Sequence, residues 1–228
     1  MKLNSDFNLR VVINTAEMEW TPSPMAGVER KMLDRIGGEV ARATSIVRYA
    51  AGSSFSAHTH GGGEEFFVLE GVFNDSNGSY PAGTYVRNPA GSSHAPWAGP
   101  EGAVIFVKLH QFDEEDNARV VINTFEQPWF KGIVNGLSVM PLHEFAGEHI
   151  ALVKWEPNTR FNPHHHWGGE EILVLEGIFR DEYGNYPAGS WLRSPHLSKH
   201  QPYTGDDGAV IYVKTGHLAG MTDRWQEV

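Results

Sequence analysis

The sequence contains no cysteine, and this absence excludes disulfide bonds and thiolate metal sites. Basic residues are few: 18 Lys and Arg stand against 28 Asp and Glu, which gives a net charge of −10. We therefore expect no nucleic-acid partner, because phosphate binding needs clustered Lys and Arg. No window approaches the roughly 18 unbroken apolar residues of a membrane-spanning helix. The N-terminal MKLNSDFNLR also lacks the apolar core of a signal peptide, so we expect a cytoplasmic protein with no membrane partner.

An internal repeat organises what is present. At 40 % hydrophobic and 11 % aromatic residues, the chain has enough apolar material for packed cores. Three short segments recur in the same order, as VVINT at 11–15 and 120–124, YPAG at 80–83 and 186–189, and GAVIFVK or GAVIYVK at 102–108 and 208–214. A unit of about 108 residues has the size of a small domain. We predict two domains, residues 1–112 and 113–228, joined near the polar segment HQFDEEDNAR.

Both copies are rich in sequence patterns that are typical of short strands. The runs EFFVLEGVF and EILVLEGIF are β-branched and aromatic, and the turn sequences NDSNGSY and RDEYGNY follow them. A helical pattern at Ala26–Gly37 has a counterpart, FKGIVNGLSVMPLHE, whose Gly and Pro do not favour a helix, so we predict strand-like or irregular structure in both. The whole pattern predicts an all-β chain that forms two sandwiches or barrels.

Histidines follow the same spacing in both copies and suggest metal ligands. In a strand, residues two apart point to the same side, so His58 and His60 can present both imidazoles to one ion. The glycines that follow allow a sharp turn, and Glu64 then begins the next strand. His94 is the candidate fourth ligand. The equivalent residues of the second copy are His164, His166, Glu170 and His200.

A solvated loop is the alternative interpretation, since a single His-x-His pattern is common without a metal. It gives no reason for both copies to keep all four residues while about half of the other positions differ. Neighbouring residues are predicted to point away from the site: His165, Glu65 and Glu171. Arg87 and Arg193 occupy the same place in the two copies and are expected to pair with a neighbouring acid rather than with a substrate.

These residues resemble the two motifs of the cupin superfamily. Gly52, His58, His60, Glu64 and Gly71 fit the first motif, G-x5-H-x-H-x3-E-x6-G. The second, G-x5-P-x-G-x2-H-x3-N, is fitted by Gly83, Pro89, Gly91 and His94, with Ala98 in place of Asn. The second copy fits less completely, with Asn158 and Leu197 in place of glycines and Thr204 in place of the Asn. The resemblance implies a bicupin of two tandem double-stranded β-helix, or jelly-roll, barrels, each with a three-His, one-Glu site.

Within the cupins, the sequence resembles the ChrR-type group. This group includes the cupin domain of the ChrR anti-sigma factor and acetylacetone-type dioxygenases. The resemblance therefore implies two alternatives, a metal-dependent dioxygenase or a sensor in transcription regulation that responds to oxidative stress. A sigma factor is expected as a partner only if the ChrR role is retained, since the Cys- and His-liganded zinc domain of ChrR has no counterpart in this cysteine-free sequence.

The ligand set limits the cofactor without identifying it. Three imidazoles and a carboxylate suit Zn, Fe, Ni or Mn, so we expect one divalent ion at each of two sites. Four protein ligands complete a tetrahedral shell or leave two positions open in an octahedron, and the second case allows a small-molecule ligand to bind. No catalytic base is identifiable from the sequence, and the sequence leaves open whether the chain forms a homo-oligomer.

Overall fold

The computed structural model describes residues 1–219 of the chain. Regular structure within this range is almost entirely β, which confirms the predicted fold class; the exceptions are two short 3-10 turns at Thr15–Glu17 and Thr124–Glu126. No helix among these residues is long and apolar enough to cross a bilayer. The predicted strand-like character of the Ala26–Gly37 region is confirmed by a strand at Val28–Gly37, which has a counterpart at Leu137–Phe145.

The strands are numbered in chain order. The first twelve are β1 (Lys2–Leu3), β2 (Val11–Asn14), β3 (Thr21–Pro22), β4 (Val28–Gly37), β5 (Ala41–Tyr49), β6 (His58–Thr59), β7 (Glu64–Asp75), β8 (Gly78–Pro81), β9 (Thr84–Asn88), β10 (Ser93–His94), β11 (Trp97–Leu109) and β12 (Val120–Asn123). The remaining nine are β13 (Phe130–Lys131), β14 (Leu137–Phe145), β15 (Glu148–Trp155), β16 (His164–His165), β17 (Glu170–Asp181), β18 (Gly184–Pro187), β19 (Ser190–Ser194), β20 (Lys199–His200) and β21 (Ala209–Thr215).

The chain forms two compact units, and neither is one continuous segment. Unit 1 contains Met1–Ser5 and Glu19–Gln127, and unit 2 contains Asp6–Met18 and the described residues from Pro128 to 219. The repeated VVIN segments account for this division: β2 pairs with β19 of unit 2, whereas β12 pairs with β9 of unit 1. The domain boundary expected after residue 112 was placed from the sequence repeat and stays a prediction. That boundary does not take account of residues 6–18, which belong to unit 2.

Each unit has a large antiparallel sheet and a two-stranded ribbon. In unit 1 the large sheet runs β1-β4-β5-β11-β7-β9-β12, with β3 on β4 and β8 on β7, and the ribbon is β6–β10. In unit 2 the order is β13-β14-β15-β21-β17-β19-β2, with β18 on β17, and the ribbon is β16–β20. The two copies therefore fold in the same way, as their shared sequence pattern predicts.

Each unit encloses its own apolar core. The core of unit 1 is formed by aromatic and β-branched side chains from its long strands, among them Phe66, Val68, Phe73, Val86 and Ile105. The core of unit 2 contains the equivalent positions Ile172, Val174, Phe179, Leu192 and Ile211. Successive side chains of a strand point to opposite faces of the sheet. The core side chains therefore alternate with residues that face away from the core.

The glycines that end the first cupin motif have a steric role. Gly71 and Gly177 both lie in the left-handed region, with φ of 68° and 70°. A Cβ at Gly71 would overlap the carbonyl oxygen of Gly102 on β11, and one at Gly177 would overlap that of Gly208. Each glycine thus allows the long strand to bend where its partner strand approaches closely.

Candidate metal centres

The four candidate ligands of the first copy come together in unit 1. His58 and His94 are direct partners across the β6–β10 ribbon, His60 follows β6, and Glu64 is the first residue of β7. One potential ligand atom from each of the four lies within 4.8 Å of the others. This group is called centre 1. Strand pairing explains His94, because it places a residue that is distant in sequence opposite His58.

Two imidazole nitrogens of centre 1 are poised for an additional bond. Nε2 of His60 and Nε2 of His94 are buried and have no hydrogen-bond partner, although their residues are only 4 % and 5 % exposed. Leaving a buried polar atom unpaired costs about 1–3 kcal/mol, whereas a bound cation would satisfy both nitrogens. The residues present therefore fit a divalent ion.

The spacing within centre 1 also suits one ion. Nε2 of His60 lies 3.4 Å from Oε2 of Glu64, and Nε2 of His94 lies 3.5 Å from the same oxygen. Two ligands bonded at about 2.1 Å to a tetrahedral ion lie roughly 3.4 Å apart. Asn88 donates a hydrogen bond of 3.1 Å to Oε2 of Glu64, which holds this carboxylate in place.

The other nitrogen of several histidines is engaged in an outer layer of contacts. Nδ1 of His58 lies 2.8 Å from the carbonyl oxygen of Ser56, and Nδ1 of His94 lies 2.9 Å from Oδ2 of Asp75. These acceptors favour the proton on Nδ1 and so leave the Nε2 lone pair for a metal. Although burial opposes it, the hydrogen bond from His94 helps to hold the pKa of Asp75 below its usual value.

Unit 2 brings together the corresponding residues, which form centre 2. His164 and His200 pair across the β16–β20 ribbon, and the ligand nitrogens of His164, His166 and His200 lie within 4.8 Å of one another. Oε2 of Glu170 is 3.5 Å from Nε2 of His166 and 3.6 Å from Nε2 of His200. All four predicted residues are thus neighbours. The carboxylate of Glu170 lies beside His166 and His200, but it is not part of the set of ligand atoms that lie within 4.8 Å of one another.

Burial dominates the electrostatics of centre 2. It lowers the pKa of His166 to about 3, and the neighbouring His200 and His164 add to this effect. Burial also raises the pKa of Glu170 to about 7. For His200, burial alone would lower the pKa, but the hydrogen bond to Asp181 and the charge of Glu170 raise it. Neutral imidazoles are the form in which histidine binds a metal.

The residues predicted to point away from the centres do so. His165 is exposed and lies outside the cluster. Glu65 accepts hydrogen bonds from Tyr85 and Arg87, and Glu171 accepts one from Trp191 and contacts His217.

The two equivalent arginines are fully buried. Arg87 also pairs with Asp116, which confirms that it meets neighbouring acids, while Arg193 donates to the backbone oxygen of Asp6 and stacks over the ring of Phe7. Arg87 in turn stacks over the ring of Phe112, so both guanidinium groups also lie against a phenylalanine ring.

Sequence analysis missed the outer carboxylates. Asp75 and Asp181 end the long strands β7 and β17, and each contacts Nδ1 of the last histidine ligand of its centre. Tyr80 and Tyr186 donate to the second oxygen of these carboxylates. The signal was present, because aspartate occurs at the same place in both copies. However, an aspartate at a turn also accepts hydrogen bonds from the backbone of its hairpin, as Asp75 does from Asn77 and Gly78. In the sequence, this structural role is enough to account for the aspartate, so its contact with a ligand was not predicted.

A family profile described as ChrR Cupin-like domain matches the sequence twice, over residues 8–113 and 117–219. The chain belongs to the ChrR cupin-like family. This confirms the resemblance on which the bicupin expectation was based, and it agrees with the duplicated architecture of the two units. A search of curated protein sequences finds no match.

Solved structures with a similar fold have distant sequences. A candidate dioxygenase from Nostoc punctiforme has a TM-score of 0.78 at 16 % identity, covering 93 % of this chain and 84 % of that one. Protein Ylba from E. coli has a TM-score of 0.68 at 14 % identity, covering 92 % of both chains. A Bacillus subtilis oxalate decarboxylase, described with Mn(II) centres, has a TM-score of 0.63 at 15 % identity and covers 90 % and 76 %. At such identities the likeness shows the cupin fold alone.

Proposed function

We propose that this ChrR-type cupin is a divalent-metal-dependent dioxygenase that acts on a small diketone, another small carbonyl compound or a phenolic compound. The observation that carries the proposal is the pair of buried, unpartnered Nε2 atoms of His60 and His94, which face the carboxylate of Glu64. The sequence resemblance to acetylacetone-type dioxygenases supports the reaction class, and the candidate dioxygenase from Nostoc punctiforme shares the fold.

The ligand residues determine the charge that a substrate meets. Three neutral imidazoles and one carboxylate leave a divalent ion with a net charge of +1, which favours an enolate or phenolate that presents two oxygen atoms. When bound, such an ion supplies Lewis-acid chemistry and, in the case of iron, redox chemistry. Oxidative cleavage by a dioxygenase places both atoms of O2 in the products, so O2 is the only oxidant required.

Aromatic side chains form an apolar wall next to the histidines. The ring of Phe55 lies 5.4 Å from that of His58, and the ring of Phe73 lies 6.3 Å from that of His94. Phe161 and Phe179 take these places in centre 2. These rings exclude water and favour the carbon skeleton of a small substrate, while the polar contact is left to the ligands.

The test is a screen with an oxygen electrode. Iron-, nickel- and manganese-loaded protein is supplied with 1,3-dicarbonyl compounds and hydroxylated aromatic ketones, which can chelate an ion through two oxygens. We expect oxygen uptake with at least one pairing of metal and substrate. His60→Ala and His166→Ala, tested separately, assign the activity to one centre.

The opposite result would also be informative. No oxygen uptake with any chelating substrate, combined with a stable complex between the metal-loaded protein and a sigma factor, would contradict the dioxygenase proposal and favour the sensor alternative.

A further inference from the structure

The two centres share their ligands but differ in three contacts around them. The first is between the imidazoles themselves. In centre 2, Nε2 of His166 lies 2.9 Å from Nε2 of His200, which is hydrogen-bond distance. In centre 1, the equivalent nitrogens of His60 and His94 have no such partner. An ion entering centre 2 must break this contact, whereas centre 1 offers both lone pairs at once.

The second difference concerns the carboxylate ligand. Asn88 donates a hydrogen bond to Glu64, and both side chains are buried. Ser194 replaces Asn88 in unit 2, and its side chain is too short to make the same bond. Within residues 1–219, the carboxylate of Glu170 has Nε2 of His166 and Nε2 of His200 as its polar neighbours, at 3.5 Å and 3.6 Å, and no hydrogen bond that corresponds to the one from Asn88. Glu64 is therefore held by a hydrogen bond that has no counterpart at Glu170 among the described residues.

The third difference concerns the outer carboxylate. Oδ2 of Asp75 lies 2.9 Å from Nδ1 of His94. Oδ2 of Asp181 is 3.4 Å from Nδ1 of His200, and it also accepts a hydrogen bond of 2.9 Å from Arg10. Sharing this oxygen with a guanidinium weakens it as an acceptor for the histidine.

The repeat provides a matched comparison for Arg10. Its counterpart, Arg119, donates to the hydroxyl of Tyr80 at 3.2 Å, whereas Arg10 contacts both Tyr186 and the carboxylate of Asp181. Arg10 also brings a positive charge close to centre 2, which opposes the binding of a cation.

From these contacts we infer that the centres are unequal: centre 1 binds its ion at least tenfold more tightly, and Asn88 in unit 1 and Arg10 in unit 2 set the difference. Both act through other residues, Asn88 by positioning Glu64 and Arg10 by drawing Asp181 away from His200. Changes to such outer contacts typically alter metal affinity by about 10–100-fold. The inference rests on the metal-dependent function proposed above, and it identifies the centre that is occupied when metal is scarce.

Single-centre proteins allow each affinity to be measured. His166→Ala with His200→Ala leaves only centre 1, and His60→Ala with His94→Ala leaves only centre 2. The dissociation constant of each protein for Zn(II) and for Mn(II) is measured by chelator competition in the full-length chain. Thermal melting shows whether each variant is folded. We expect the constant of centre 1 to be at least tenfold smaller for both ions.

Reciprocal substitutions then test the named residues. Asn88→Ser should weaken centre 1 by about tenfold or more, and Ser194→Asn and Arg10→Gln should each strengthen centre 2. Arg119→Gln is the matched control for Arg10→Gln, and it should change the affinity of centre 1 less than twofold. A gain of affinity in Ser194→Asn or Arg10→Gln cannot result from misfolding, so these two variants are decisive.

The outcomes separate this inference from the proposed function. Equal affinities, or a tighter centre 2, would overturn the inference and leave a metal-dependent enzyme intact. Unequal affinities that do not respond to Asn88→Ser, Ser194→Asn or Arg10→Gln would overturn the roles given to these residues. If neither centre binds any ion, the proposed function and the inference both fail.

Discussion

At the scale of single residues, the contacts of Nδ1 show which imidazole nitrogen of a candidate ligand is free to bind an ion. His58 and His94 each place Nδ1 on an acceptor, so Nε2 remains available at centre 1. His60 contributes a buried Nε2 with no partner. The tautomers of His58 and His94 are thus favoured by their neighbours, and the neighbour of His94 comes from a different strand.

Replacing His60 with Ala should abolish one metal site and leave the other. We expect the number of bound ions per chain to fall from two to one, because centre 2 uses no residue of centre 1. Elemental analysis of untagged protein, loaded and then freed of excess ion, measures the change. His165→Ala is the control, since this exposed residue lies outside both centres, and it should retain two ions. Loss of both ions from His60→Ala would show that the centres depend on each other.

The buried phenol of Tyr85 predicts a loss of stability at alkaline pH. Burial, and then the charge of Glu65, raise the pKa of Tyr85 well above its usual value. A raised folded pKa means that the stability is fully present below the unfolded pKa of about 10 and is lost as pH rises beyond it, by about 1.4 kcal/mol per pH unit.

The free energy of unfolding, measured in urea between pH 8 and pH 11, tests this expectation. Tyr85→Phe should be less stable at pH 8 because it loses the hydrogen bond to Glu65, yet it should show a shallower decline above pH 10. Identical declines in the two proteins would mean that Tyr85 ionises without unfolding.

At the scale of elements, the long strands β7 and β17 position the residues of the centres. Each begins with the glutamate ligand and ends with the aspartate that contacts the last histidine, so one strand places two layers of a site. The two-stranded ribbons do the rest by pairing the first and last histidines. The pairing register of these strands therefore determines which candidate ligands meet in each centre.

The bend at Gly71 should be far less tolerant of a side chain than the turn at Gly52. Both glycines have positive φ, but a Cβ at Gly71 overlaps a carbonyl oxygen whereas one at Gly52 meets nothing within 4 Å. We expect Gly52→Ala to cost about 1 kcal/mol and Gly71→Ala to cost roughly 1–3 kcal/mol more. Urea unfolding of the two variants provides the comparison, and equal costs would argue against the steric role of Gly71.

At the scale of the whole molecule, metal binding should stabilise the native state. An ion that binds only the folded protein adds about 2.7 kcal/mol when its free concentration is a hundredfold above Kd. For a chain of this size, 1 kcal/mol shifts Tm by about 2–4 °C. Removing the ions with a strong chelator should therefore lower Tm by several degrees.

Thermal unfolding before and after chelation measures this effect, and re-addition of the ion should restore the original Tm. A variant that lacks His60, His94, His166 and His200 is the control, and chelator should leave its Tm unchanged. If the wild-type curve does not move after the ions are shown to be gone, the ions do not stabilise the fold.

The duplication, the β class and the eight candidate ligands follow from the amino-acid sequence alone. Repeated spacing carried this information, because His58, His60 and Glu64 are close together in the chain and a strand period of two decides which of them share a face. The same local rule correctly excluded His165, Glu65 and Glu171 from the centres.

Other features depend on the tertiary fold. Residues 6–18 belong to unit 2 because β2 completes the sheet beside β19, and local sequence does not specify such a distant partner. The outer residues of the centres, Asp75 and Asn88 in unit 1 and Asp181 and Arg10 in unit 2, lie 19 or more residues from their partners in the chain and meet them only in the folded unit. The two centres have the same ligands and differ in these long-range contacts. The spacing of residues in the sequence does not predict such contacts.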